Sequence, residues 1–146
     1  MGARQKKSKK PSGTKAEQLL EGTTFFVDNC LGRLVVQALR DAGWLIEFHL
    51  DHFKGDSPDE EWLPIVGARR WVLLARDTHI RRQASGRAKV IAAKVRMFTL
   101  PGGNMTGEEM AERYLSSRGR MARILNNTPA PFAAVVHADA IDMIPL

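Results

Sequence analysis

Cysteine is almost missing from this 146-residue chain, in which Cys30 stands alone. A single thiol excludes an internal disulfide and, with it, the disulfide-stapled class of small secreted domains; it also excludes a zinc site built on several thiolates. No apolar run approaches the ~20 residues that a membrane-spanning helix needs. The first residues are basic and polar with no hydrophobic segment behind them, so they lack the core of a secretory signal. An intracellular, cytoplasmic location is the expectation, with no membrane partner. His49, His52, His79 and His137 lack a paired metal-ligand spacing and read as structural, His79 being the one near a candidate site. No internal repeat is visible.

What is present fits one ordinary domain. Hydrophobic residues make up 44% and charged residues 26%, close to soluble globular usage, and the length supports one real core but not two. The net charge of +6 suggests nucleic acid until it is located. Arg4, Lys6, Lys7, Lys9, Lys10 and Lys15 all precede the first acid, Glu17; with those six set aside the 22 basic residues fall to 16, equal to the 16 acids. Residues 1–22, which also hold Ser8, Pro11, Ser12 and Gly13, read as a flexible basic arm able to bind phosphates by counterion release. A merely solubilising terminus explains them equally well. The domain proper is expected over residues 23–146.

Short apolar runs then alternate with helical patterns. Thr24-Phe25-Phe26-Val27 stops at Asp28 like a buried strand reaching a sheet edge. Leu31, Leu34, Val35, Ala38 and Leu39 fall at helical spacing, and Gly43 is placed to end that helix. Trp44 to Phe48 forms a second strand, followed by the polar loop Asp51 to Asp56. Ser57, Pro58 and Glu60 read as a cap, a first helical position and a capping-box acid ahead of Trp62, Ile65 and Val66. Trp71 to Ala75 is a third strand ending before Asp77, and Val95 to Leu100 a fourth, with a basic helical stretch between. Thr106 caps one helix carrying Met110, Tyr114, Leu115, Met121, Ile124 and Leu125, closed by Pro129 and Pro131. Phe132 to Val136 and Ile141 to Ile144 form a final strand pair. This alternation predicts an α/β domain with a mainly parallel sheet covered by helices on both faces.

In such a sheet, ligands bind beyond the carboxyl ends of the strands, where Asp28 and Asp77 stand. Asp51, Asp59, Glu60 and Glu61 can join them at that edge. Converging carboxylates repel one another, and Mg²⁺ or Mn²⁺ neutralises them through the hard oxygens it prefers. A cation held there polarises a phosphodiester and acidifies a water, which makes RNA hydrolysis the natural chemistry. Acids also favour helix N-termini for reasons unrelated to catalysis, and for Asp59 to Glu61 that explanation weighs heavily.

The runs Phe26-Val27-Asp28-Asn29-Cys30-Leu31-Gly32-Arg33, Asp51-His52-Phe53, Ser57-Pro58-Asp59-Glu60-Glu61-Trp62-Leu63 and Leu73-Leu74-Ala75-Arg76-Asp77 resemble PIN-like domains, from about Thr24 to the C-terminus. That family includes many toxin ribonucleases of bacterial toxin-antitoxin pairs. The resemblance implies a three-layer α/β/α fold, an endoribonuclease using Mg²⁺ or Mn²⁺, RNA as substrate and an antitoxin protein as partner; a homodimer is among the assemblies it allows. Residue by residue it implies metal-binding carboxylates at Asp28, Asp59 and Asp77, with Glu60 the alternative to Asp59. Asn29, Arg33, Arg76, Thr78, Arg81, Arg82 and Asn104 are the candidate RNA contacts. Many PIN nucleases carry a further acid where this chain has Asn104, a departure that weakens a second metal position.

Arg69, Arg70, Arg76, Arg81, Arg82, Arg87 and Lys89 make the sequence around Asp77 basic, close to where RNA phosphates are expected. For Arg87 and Lys89 a solvated helix face explains the charge as well. Cys30 has no histidine partner and reads as a buried thiol. Trp44, Trp62, Trp71 and the methionines Met105, Met110, Met121 and Met143 read as packing. Two other functions compete: a catalytically silent PIN-like RNA- or protein-binding module, and a phosphoacceptor signalling domain. The latter requires a downstream lysine at a strand end, and none is evident.

Overall fold

Successive side chains of a strand point to opposite faces of its sheet, and here both faces are apolar. The computed structural model describes residues 20–76 and 83–146. Residues 1–19, the bulk of the expected basic arm, lie outside that range, as do Asp77, Thr78, His79, Arg81 and Arg82. Leu20 packs against the core, although the arm was expected to reach residue 22.

The strands are β1 (Thr24–Val27), β2 (Leu45–Phe48), β3 (Val72–Ala75), β4 (Arg96–Thr99), β5 (Phe132–Val136) and β6 (Ile141–Ile144), and the helices α1 (Gly32–Asp41), α2 (Asp59–Ala68), α3 (Ala84–Ala93), α4 (Gly107–Ser116) and α5 (Arg118–Asn127). The sheet order is β2-β1-β3-β4-β5-β6, parallel through β5, with β6 antiparallel. Phe25, Val27, Val72, Leu74, Phe98 and Phe132 face α1, α4 and α5. Phe26, Leu73, Ala75, Met97 and Ala133 face α2 and α3. The result is the expected three-layer α/β/α arrangement. Among the described residues no helix is long and apolar enough to cross a membrane.

Local chemistry sets the element ends. Gly43 closes α1 with φ +94, and the Gly43 N–H→Arg40 carbonyl (2.9 Å) and Trp44 N–H→Leu39 carbonyl (3.0 Å) bonds make a Schellman motif. Thr106 caps α4 in a capping box with Glu109, at 3.1 and 2.8 Å.

Four local expectations need correction. The capping box at Ser57 and Glu60 does not form, because α2 starts one residue later with Pro58 as its N-cap and no side-chain cap bond. The acids Asp59 to Glu61 occupy the first turn instead, where the helix dipole favours them. The single helix expected after Thr106 is two, broken at buried Ser117; Ser116, Ser117 and Gly119 are poor helix formers there. Leu34, read as part of the buried stripe of α1, is half exposed and lies over Gly107. Met143, expected in the core, is exposed on β6.

Candidate active site

The chain leaving β1 turns toward β2 and the chain leaving β3 turns toward β4, on opposite sides. The loops after β1 and β3 therefore diverge, and a crevice opens between them at the carboxyl edge of the sheet. Asp28 sits in it, tied to β3 by its backbone N–H, which donates to the Leu74 carbonyl at 3.0 Å. Its side chain caps a 3-10 turn over Asn29–Leu31. Oδ1 accepts the Asn29 N–H at 2.7 Å, and Oδ2 accepts the Cys30 thiol at 3.4 Å. Both oxygens are held in place, each with lone pairs to spare.

Cys30 is exposed as a residue, but its sulfur is shielded. That burial, followed by the charge of Asp28, pushes the thiol up to about 12. With no metal bound it stays protonated at neutral pH and is a poor nucleophile; the residue is nonetheless exposed, which corrects the reading of Cys30 as a buried thiol.

Asp28 lines a cleft of about 350 Å³ whose wall includes Cys30, Asp59, Arg76 and Lys89 and whose floor includes Trp62 and Met97. Asp59 arrives on the first turn of α2 and Lys89 on α3. The Lys89 ammonium lies 3.9 Å from Asp59 Oδ2 and 3.2 Å from Glu60 Oε2. Glu60 is held below the usual carboxylate range by its own backbone N–H and then by Lys89.

Asp28, Asp59 and Arg76 thus share one cleft. Glu60 is turned toward Lys89 and does not line it. Asp77, Thr78, Arg81 and Arg82 fall outside the described residues. Asn29 ties two loops together, its Nδ2 donating to the Gly55 carbonyl at 3.2 Å. The Arg33 guanidinium stands 5.1 Å over the Phe48 ring. Asn104 is exposed ahead of α4 and does not line the cleft. Asp51 faces Arg40 at 3.9 Å instead of joining Asp28.

Arg69 and Arg70 are not near Asp28. They follow α2 at the amino ends of the strands, and Arg69 covers the Trp71 ring at 5.0 Å. Among the described residues no group of three potential ligands is close enough to hold a metal ion; two cleft carboxylates are present. Lys89 is the site residue that sequence reasoning undervalued. Its signal lay in the three-residue spacing of Gln83, Gly86 and Lys89, all of which line the cleft.

Comparison with known proteins agrees with the three-layer fold. The sequence profile of a family described as a PIN like domain matches residues 23–102. A curated protein of Mycobacterium tuberculosis (strain ATCC 25618 / H37Rv), named "Putative ribonuclease VapC45", is 33% identical over 122 residues, covering 80% of this chain and 87% of that protein. No solved structure matches.

Proposed function

Because the chain belongs to the PIN-like domain family, we propose that it is a divalent-metal-dependent endoribonuclease acting at the carboxyl edge of its sheet, and the toxin of a toxin-antitoxin pair. The observation that carries this reading is the meeting of Asp28 and Asp59 in one cleft at the point where the strand order reverses. The name of the Mycobacterium tuberculosis relative supports the ribonuclease part.

The donor set suits a hard cation. Asp28 and Asp59 offer carboxylate oxygens, the donors that a hard cation prefers. Asp28, Asp59 and Asp77 would hold the ion, with Mg²⁺ or Mn²⁺ fitting the oxygen donors. Such an ion supplies Lewis-acid polarisation of a phosphodiester and acidifies a water. The chain's own residues do the rest. Asn29 and the Cys30 thiol fix the Asp28 carboxylate, Arg76 offers a cation to a phosphate at the cleft wall, and Lys89 offsets part of the charge at the start of α2.

A metal titration of the folded protein tests the site. Mn²⁺ is expected to raise the melting midpoint by mass action and to give a calorimetric isotherm. Asp77→Asn should remove most of both. Asp142→Asn, on β6 beside His137, should leave both intact. Equal Mn²⁺ affinity in wild type and Asp77→Asn would favour the silent binding module, a reading that the Lys89 ion pairs also support.

A further inference from the structure

At the other end of α2 and α3 lies a second cleft of about 350 Å³, lined by Gly67, Arg70, Trp71, Lys94, Arg96 and Thr128 among others. Its formation depends on Gly67, because a Cβ there would lie 1.8 Å from the Ala93 carbonyl oxygen. Glycine lets the two helix ends abut. That contact brings Arg70 and Lys94 to the same cleft, both in the left-handed region at φ +58 and +54, where side chains other than Asn, Asp and His are uncommon. Arg96 begins β4, and its Nη2 donates to the Arg70 carbonyl at 2.5 Å.

The cations are crowded. Burial and then the neighbouring Arg70 lower the proton affinity of Arg96. Among the described residues Arg70, Lys94 and Arg96 make no ion pair with a carboxylate. Cations commonly settle at helix C-termini, and α2, α3 and α5 all end here. Each end carries only about half a negative charge, so three helices balance about half of three full positive charges. The remainder calls for an anion.

We propose that this cleft is a second binding site for RNA, taking backbone phosphates outside the catalytic cleft. The inference rests on the ribonuclease reading for its choice of polyanion. The two clefts are separated by the ten-residue length of α2 and α3, about 15 Å, so one extended strand can engage both. Trp71 is stacked on Phe26 at 5.7 Å and covered by Arg69 at 5.0 Å, so its ring builds the cleft wall and the contacts expected here are to backbone phosphates, not to stacked bases.

The test is fluorescence anisotropy of a labelled single-stranded RNA oligomer with the full chain in EDTA, so that no cleavage occurs. The neutral pair Arg70→Gln and Lys94→Gln should weaken binding at least about fivefold at low salt and flatten the log-log salt slope by about 1.4, the value of two single-strand phosphate contacts. The charge-keeping pair Arg70→Lys and Lys94→Arg should bind like wild type. Unchanged affinity and slope in the neutral pair would overturn the proposal, and so would an equal loss in the charge-keeping pair. Displacement of the RNA by polyglutamate as effectively as by unlabelled RNA would overturn it in favour of an acidic protein. A wild type that cleaves RNA while the neutral pair binds normally defeats only the second site; a wild type that binds through this cleft and never cleaves defeats only the nuclease reading.

Discussion

Lys89 stands 3.9 Å from Asp59, with Glu60 at 3.2 Å, so one ammonium is shared between two of the three acids that open α2. A divalent cation entering the cleft competes with it for Asp59. Lys89→Met should therefore bind Mn²⁺ more tightly than wild type, by less than about tenfold because the pairs are part exposed and individually weak. Isothermal calorimetry reads this directly, and a weaker affinity in the variant would show that Lys89 supports the ion instead of opposing it.

The same pair has a pH signature. Glu60 is depressed in the folded state, so its contribution is present above the unfolded carboxylate value and is lost as pH falls through the folded one. The stability difference between wild type and Lys89→Met should be largest near neutral pH and should vanish as acid protonates Glu60. Urea melts at several pH values check the trend.

Cys30 gives a chemical test of the Asp28 environment. With the thiol near 12, only about one molecule in ten thousand carries a thiolate at pH 8. Alkylation by iodoacetamide should be far slower than for a free cysteine, despite the exposure of the residue. Asp28→Asn removes the adjacent charge and should speed the reaction. Equal rates in the two proteins would mean that Asp28 does not bear on the sulfur.

Much of the fold was legible because the apolar runs are short and sharply ended. Thr24 to Val27, Phe132 to Val136 and Ile141 to Ile144 are strands at the expected residues. Asp28 could be singled out because a four-residue apolar run stops there. Three features depend on tertiary packing and carry no local signal. The role of Lys89 requires α2 and α3 to be neighbours, which Gly67 permits. Arg69 and Arg70 lie close to Arg76 in sequence, yet they precede β3 and Arg76 follows it, so about 13 Å of strand separates them from the cleft. The break at Ser117 places Tyr114 under the sheet, a contact between residues far apart in sequence.

Tyr114 is fully buried, and its hydroxyl lies 3.1 Å from the Phe98 carbonyl and 3.3 Å from the Ala75 carbonyl, bridging the carboxyl ends of β3 and β4. Burial raises its ionisation well above the usual phenol range, so it remains a donor. Tyr114→Phe leaves buried carbonyls short of a donor and should cost about 1–3 kcal/mol, measured by chemical denaturation. No loss of stability would mean that water replaces the hydroxyl.

In the function proposed above, Asp28 belongs to a cation-dependent RNA-cleaving site. Its most direct test is cleavage of single-stranded RNA by wild type and Asp28→Asn in Mn²⁺, with EDTA controls and circular dichroism to confirm the fold. Wild type should cut only with the metal, and Asp28→Asn should be folded but slower by more than about a hundredfold, since even losing an outer partner of a ligand costs 10–100-fold. Wild-type rates in Asp28→Asn, or cleavage that persists in EDTA, would contradict that function.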